Sequence, residues 1–190
     1  MRLGTFGYFV DFFASLACVA ALFWIEMSGA RTWLSASEWL MSLLMGLCLW
    51  TLIEYAIHRW LYHGVSFFIP LHDAHHSEPN AYIGAAPFVG IVLIFAIIYW
   101  PAHSVHSTLA SGLTAGLLLG YMAYQVVHHA THFWRLTPGR YLYRARLHHF
   151  GHHHRDVVGN FGIVTMFWDQ VFGTLIERKQ PLALQETATH

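Results

Sequence analysis

The segment that decides the fold is residues 39–63, WLMSLLMGLCLWTLIEYAIHRWLYH. Its first part, residues 39–57, is apolar except for a few small or polar positions and the single charge of Glu54. A helix needs about 20 mostly apolar residues to cross the hydrocarbon core of a bilayer. Two histidines, His58 and His63, follow directly. The segment therefore predicts a membrane-spanning helix that ends in a histidine pair.

The composition of the whole chain points the same way. Hydrophobic residues make up 56% of the 190 residues and charged residues 11%, whereas soluble domains average roughly 25% charged residues. Three further apolar stretches are candidate spans: residues 6–25, 85–100 and 109–127. We therefore predict an all-α, polytopic membrane protein of about four transmembrane helices. The stretch 85–100 is short, so it could instead form a re-entrant or tilted pair with the second span.

We expect one membrane-embedded domain over residues 1–190, with the first span within 1–27 and a flexible tail over 175–190. Four spans put both termini and residues 58–80 on one side of the membrane. The Lys and Arg residues of that side are Arg2, Arg59, Arg135, Arg140, Arg144, Arg146, Arg155, Arg178 and Lys179, against Arg31 alone on the other. The excess of positive charge predicts that this side is cytoplasmic. The zero net charge gives no indication of a nucleic-acid partner.

Most of the 16 histidines fall in four short boxes, each just past a predicted span. The boxes are His58/His63, His72/His75/His76, His128/His132 and His149/His152/His153. Positions i, i+3 and i+4 share one helix face, so the last three boxes each present their imidazoles together. Five residues at about 100° each leave the first pair roughly 140° apart. A bulge or a helix end near residues 62–64 must therefore bring that pair together.

Ten imidazoles are too many for one metal ion and suit two, since one ion takes four to six ligands. Imidazole ligands without thiolates favour Fe, Cu, Zn or Ni over an iron–sulfur cluster. Metal-bound imidazoles usually donate their other N–H to a carboxylate or carbonyl, and the nearby carboxylates are Glu54, Asp73, Asp156 and Asp169. For Glu54, a plain interfacial charge is an equally good interpretation. The remaining histidines lie off the spacing or away from the boxes, and His148 is the least secure exclusion, because it pairs with His152 at i, i+4.

Two segments outside the spans carry a family resemblance: residues 54–63, EYAIHRWLYH, and residues 160–174, NFGIVTMFWDQVFGT. With the boxes, they resemble the fatty acid hydroxylase superfamily, also called the sterol desaturase family, over about residues 50–175. The resemblance implies a non-haem di-iron oxygenase whose ten box histidines hold two Fe ions, with Zn as a possible substitute on purification, and whose co-substrate is O₂. It also implies a lipid substrate taken from the bilayer and a histidine-rich helical cap. Some relatives carry a fused haem domain, so here we expect a separate electron-donor protein, and the small size suits a bacterial inner membrane.

Three functions fit these observations in descending order. The first is hydroxylation of a lipid C–H bond, on an acyl chain or a sterol-like substrate. The second is another oxidation of the same superfamily: desaturation, ether-lipid cleavage or carotenoid-ring hydroxylation. The third is a non-enzymatic metal-binding, transport or b-type haem protein. A transporter would need ionisable ligands near the bilayer midplane, whereas these histidines cluster at one surface.

Overall fold

The computed structural model describes residues 1–29, 32–154 and 158–176. Regular structure within these ranges is helical, apart from one isolated bridge between Arg2 and Ile83, and this confirms the all-α class. The helices are α1 (Thr5–Ser28), α2 (Trp33–Ala56), α3 (Ile69–Ser77), α4 (Val89–Ile94), α5 (Trp100–His103), α6 (Ser107–Phe133), α7 (Tyr141–His154) and α8 (Phe167–Val171). Two π-helical turns, Ile57–Tyr62 and Phe95–Tyr99, continue α2 and join α4 to α5.

In the described part of the chain, three helices are long and apolar enough to cross a membrane: Thr5–Ser28, Trp33–Tyr62 and Ser107–Phe133. Their surfaces are inverted relative to those of a soluble bundle. In α1, Asp11, Ser15 and Glu26 are buried, while Phe6 is 82% exposed. Large apolar side chains on the outside with polar ones inside fit a lipid solvent, so the predicted multi-span membrane protein is confirmed.

The third predicted span forms a shorter apolar helix, Val89–His103, about 22 Å long at 1.5 Å per residue. It still connects the two ends of the bundle, because His106, just beyond it, lies 3.2 Å from Glu38 at the start of α2. It is short because the chain enters the bundle without helical structure before α4. There Asp11 accepts hydrogen bonds from the backbone N–H of Phe88 (2.6 Å) and from the hydroxyl of Tyr121 (2.8 Å).

Helices α2 and α6 form the most extensive contact of the bundle. Glycines make it possible: a Cβ at Gly46 would collide with the carbonyl oxygen of Leu113, and a Cβ at Gly116 with that of Leu43. Gly112 and Gly120 lie equally close to α2. Gly112, Gly116 and Gly120 recur every four residues, which predicts a stripe of small residues on one helix face. The contacts show that this stripe serves close helix packing.

All four histidine boxes lie at one end of the bundle. The N-terminus joins them there, because the N–H of Leu3 donates to the carbonyl of Tyr82 at 2.8 Å and Arg2 pairs with Glu78. Short helices α3 and α7 form a cap on this end, as the resemblance predicts. Of the basic residues used for orientation, Arg31, Arg155, Arg178 and Lys179 lie outside the described residues, as does 177–190 of the predicted tail.

Candidate metal centre

The first histidine pair meets through a change of helix type. The turn Ile57–Tyr62 at the end of α2 is π-helical, and its i→i+5 hydrogen bonds place residues five apart on one face. The rings of His58 and His63 are consequently 5.4 Å apart, centroid to centroid. Gly64 follows the turn closely. A residue with a Cβ would not fit there, because the Cβ would collide with the carbonyl oxygen of Trp60. The predicted bulge is confirmed, and it lies a few residues earlier than residues 62–64.

Nine of the ten predicted imidazoles form two groups, in each of which the candidate ligand atoms lie within 4.8 Å of one another. The first group is His58, His63, His72, His76 and His152, and the second group is His75, His132, His149 and His153. The tenth imidazole, His128, adjoins the second group, because its Nε2 is 3.0 Å from the Nε2 of His75. The structure therefore brings all ten predicted residues together.

Each HxxHH box serves both groups. In α3, His72 and His76 belong to the first group and His75 to the second. In α7 the assignment is reversed, with His149 and His153 in the second group and His152 in the first. One helix turn thus gives its i, i+4 pair to one group and its i+3 residue to the other, which places the two groups side by side.

Two imidazoles of the first group have their orientation fixed by backbone carbonyls. His58 Nδ1 donates to the carbonyl of Phe161 at 2.5 Å, and His152 Nδ1 donates to that of Gly159 at 2.8 Å. A neutral imidazole that donates from Nδ1 carries its lone pair on Nε2. These lone pairs point to their neighbours, since the Nε2 atoms of His58 and His72 are 3.1 Å apart and those of His63 and His152 are 3.2 Å apart.

The loop that supplies these carbonyls is held by two buried carboxylates. Asp169, fully buried, accepts hydrogen bonds from the N–H groups of Phe161 and Gly162, both at 2.8 Å. It also accepts from Thr174 Oγ1 at 2.7 Å and from His148 Nε2 at 3.0 Å. Glu54 accepts from the N–H groups of residues 163 and 164. Both carboxylates thus act on the imidazoles through the loop.

Burial keeps the imidazoles outside the spans neutral. It is the main cause that lowers the pKa of His72 to about 2, of His75 and His152 to about 3 and of His76 to about 4, with nearby imidazoles lowering it further. Burial also lowers the pKa of His149. Metal binding requires the neutral form of imidazole, so these imidazoles are already in the protonation state that a metal ion would need.

The donor set fits two transition-metal ions. Two imidazole Nε2 atoms about 3 Å apart can share one proton in a hydrogen bond or hold one cation between them. Nitrogen-only donor sets suit Fe, Cu, Zn and Ni. The groups are therefore candidate sites for one ion each.

A cleft of about 370 Å³ opens beside the second group. Its lining includes His132 and His153 of that group, together with Asn80, Arg146 and His154. Arg146 is fixed there by hydrogen bonds to carbonyl oxygens at the end of α6, among them that of Thr131 at 2.8 Å. Two imidazoles of the second group therefore line an open cleft.

Comparison with known proteins identifies the family. The sequence pattern of the fatty acid hydroxylase family matches residues 43–174. This chain belongs to the fatty acid hydroxylase family. A relative named fatty acid 2-hydroxylase, from Rattus norvegicus, is 35% identical over 158 residues, which cover 74% of this chain and 41% of the relative.

A second relative, from Saccharomyces cerevisiae, is named ceramide very long chain fatty acid hydroxylase SCS7. It is 31% identical over 160 residues, covering 73% of this chain and 39% of the relative. The solved structure described as full-length scs7p, with only the hydroxylase domain visible, superposes with a TM-score of 0.76 at 26% identity. That superposition covers 93% of this chain and 69% of the other. The chain spans about two fifths of the length of these curated relatives.

The two remaining predicted carboxylates are Asp73 and Asp156. Asp73 is exposed on α3, and within the described ranges no hydrogen bond joins its carboxylate to a box imidazole. Its negative charge nonetheless opposes the fall in the pKa of His63 and His76. Asp156 lies outside the described residues.

One buried group of this centre was missed by the histidine spacing. His148 is buried and pairs with Asp169, so it holds the loop and lies in neither metal-binding group. Its i, i+4 relation to His152 does not reveal this, because Asp169 lies 21 positions later. The signal available in the sequence is Asp169 in the segment 160–174, because this carboxylate needs a hydrogen-bond partner.

Proposed function

We propose that the protein is a membrane di-iron oxygenase that hydroxylates a C–H bond of a lipid acyl chain. The observation that supports this proposal most strongly is that nine predicted imidazoles form two adjacent groups and the tenth adjoins one of them, in a chain of the fatty acid hydroxylase family. The proposed ligands are His58, His63, His72, His75, His76, His128, His132, His149, His152 and His153. Two Fe ions are the proposed native metals, and Zn²⁺ can replace them on purification because nitrogen sites bind it more tightly than Fe²⁺.

Bound iron would supply the activation of O₂ that an unactivated C–H bond requires. The chain's own residues position and shield that centre. Carbonyls of Gly159 and Phe161 fix the rings of two ligands, and Asp169 and Glu54 hold the loop that carries those carbonyls. Asp73 and Asp156 stay predictions as further supporting groups.

The names of the relatives favour an acyl chain as the substrate. Relatives in animals are named fatty acid 2-hydroxylase and one in Arabidopsis thaliana is named dihydroceramide fatty acyl 2-hydroxylase. The exposed apolar surfaces of α1 and α2 face the bilayer in this proposal, so a lipid reaches the metals sideways from the membrane. Desaturation or another oxidation of the superfamily is the alternative reaction on the same centre.

Electrons and orientation complete the proposal. We place the histidine end on the cytoplasmic side, from the distribution of Lys and Arg in the sequence, and in a bacterial inner membrane. A separate donor protein delivers electrons from that side. The chain works as one membrane-embedded domain.

The proposed reaction is tested by growing cells that express the protein under ¹⁸O₂ and comparing their lipids with those of cells expressing His152→Ala. Hydroxylation predicts lipid species heavier by one ¹⁸O atom, present only with the unchanged protein. Species lighter by two hydrogens and without ¹⁸O would indicate desaturation instead. Identical lipids in both cultures, with both proteins at equal abundance in the membrane, would contradict the proposed function.

A further inference from the structure

We propose that the two metal positions are unequal: the ion of the first group is held tightly, and the ion of the second group is held weakly and leaves through the cleft beside Asn80 and His154. The inference rests on the two-metal centre of the proposed function. Both groups offer the same kind of Nε2 donor in similar number. The inference therefore concerns the hydrogen-bond partners of the Nδ1 atoms, on the opposite edge of each ring.

The first group has hydrogen-bond support on the far side of its rings. Nδ1 of His58 and Nδ1 of His152 each donate to a backbone carbonyl, at 2.5 and 2.8 Å. Such partners fix the orientation of a ligating ring and raise its basicity, and their loss typically costs 10–100-fold in metal affinity. Two of the five ligands of this group are therefore set before an ion binds.

The second group lacks that support. Nδ1 of His75, of His149 and of His153 is buried and has no hydrogen-bond partner among the described residues. An imidazole that binds metal through Nε2 must carry its proton on Nδ1. Metal binding by the second group therefore keeps up to three N–H donors buried and unsatisfied, which opposes binding.

The support of the first group is itself rigid. Asn160 lies between the two carbonyl-bearing residues in the left-handed region, with φ of 56°. Its side chain donates to the carbonyl of His148 at 3.1 Å and accepts from the N–H of Ile176 at 2.7 Å. Asp169 holds the next two residues through their N–H groups. The carbonyls are thus fixed from both sides.

A cleft gives the second group access to solvent. The cleft of about 370 Å³ is lined by His132 and His153, both of the second group. His154, which also lines it, is exposed, and its ring centroid is 6.0 Å from that of His153. An ion that leaves the second group therefore has a direct path outward, past a further imidazole.

The test is stepwise removal of metal from the purified, detergent-solubilised protein in its metal-loaded form. Samples are equilibrated with rising concentrations of a chelator such as EDTA. The number of metal ions per chain is then measured by elemental mass spectrometry. We expect two steps of one ion each, separated by at least tenfold in chelator concentration. Loss of both ions in a single step would overturn the inference.

Two matched variants assign the steps. His132→Ala removes a ligand of the second group and should abolish the weak step while leaving the strong step where it was. His63→Ala removes a ligand of the first group and should abolish or weaken the strong step alone. The reverse assignment would overturn the proposal.

A surface variant keeps the test decisive if either alanine protein misfolds. Asn80→Trp narrows the cleft without touching a ligand, and should slow the release of the weakly held ion at least threefold while leaving the other unchanged. An unchanged release rate would contradict the assigned path. A protein that loses its ions in two steps yet changes no lipid would contradict the proposed function alone, and one that hydroxylates lipid yet loses both ions together would contradict this inference alone.

Discussion

The backbone carbonyl of Phe161 accepts a hydrogen bond from Nδ1 of His58, 103 positions earlier in the chain. This bond connects the end of a membrane-spanning helix to the closing loop of the protein. The loop in turn depends on Asp169, which binds the N–H groups of Phe161 and Gly162. Loop, helix and imidazole therefore form one supporting unit for the metal-binding groups.

Replacing Asp169 by Asn tests that unit. The amide keeps one acceptor oxygen and turns an NH₂ group towards atoms that are themselves donors, so buried N–H groups lose their partner at roughly 1–3 kcal/mol each. We expect a lower melting temperature in detergent and about 10–100-fold weaker metal binding. Chelator competition with the purified protein measures the affinity.

The matched control is Glu38→Gln, the same kind of exchange at the opposite end of the bundle, where Glu38 pairs with His106. Metal affinity should not change in this variant. Equal affinity in both variants would show that Asp169 does not support the metal-binding groups.

Adjacent histidines on α6 provide a second test. His128 Nε2 is 3.0 Å from His75 Nε2, whereas the ring of His129 stacks on Phe133 with centroids 4.5 Å apart. We expect His128→Ala to lower the metal content and abolish lipid oxidation, and His129→Ala to keep both. Elemental analysis and lipid profiles of the two proteins are the measurements. A full metal complement in His128→Ala would remove that residue from the ligand set.

The contact between α2 and α6 gives a prediction on stability. Gly116→Val places a branched side chain where a Cβ already collides with the carbonyl oxygen of Leu43, so the helices must separate. We expect a loss of stability of a few kcal/mol, in the range of overpacked cores, and a large fall in the yield of folded protein. Gly4→Ala is the control, since nothing lies within 4 Å of a Cβ there. Equal melting temperatures for the two variants would contradict the close packing.

The hydrogen bonds of Asp11 at the start of α4 give a prediction on stability, in which two variants lose different numbers of these bonds. Tyr121→Phe removes one hydrogen bond to Asp11 and should cost about 1 kcal/mol. Asp11→Ala also leaves the N–H of Phe88 without its partner, so it should cost more, roughly 1–3 kcal/mol beyond that. Melting in a fixed detergent ranks the two. An Asp11→Ala protein that melts at a higher temperature than Tyr121→Phe would mean that this carboxylate does not hold the start of α4.

Sequence patterns predicted the features that repeat at helical spacing. The apolar spans follow from the length of the apolar stretches. Three of the four histidine boxes and the stripe of Gly112, Gly116 and Gly120 follow from positions three or four apart. His58 and His63 do not share a face of a regular α-helix, so their pairing predicted a bulge or a helix end. A π-helical turn is present there. These features are local, so neighbouring residues suffice to predict them.

What the sequence did not reveal depends on contacts between distant segments. The division of each HxxHH box between two groups requires the placement of α3 against α7, which spacing alone does not give. Backbone carbonyls, such as that of Gly159, leave no residue signature at all. Asp169 was predicted as a partner of imidazoles, but its hold on the loop depends on N–H groups that any residue provides. The late start of the third span, at Val89 and not at residue 85, likewise depends on Asp11, 77 positions away from Phe88.

The number of metal ions bound by the intact purified protein tests the two-metal centre directly. Elemental mass spectrometry, with protein quantified by amino-acid analysis, should give two ions per chain. That number should fall when His75 or His152 is replaced by Ala. An ion count near zero, or two ions that persist in both variants, would contradict the assignment of the histidine boxes to a two-metal centre.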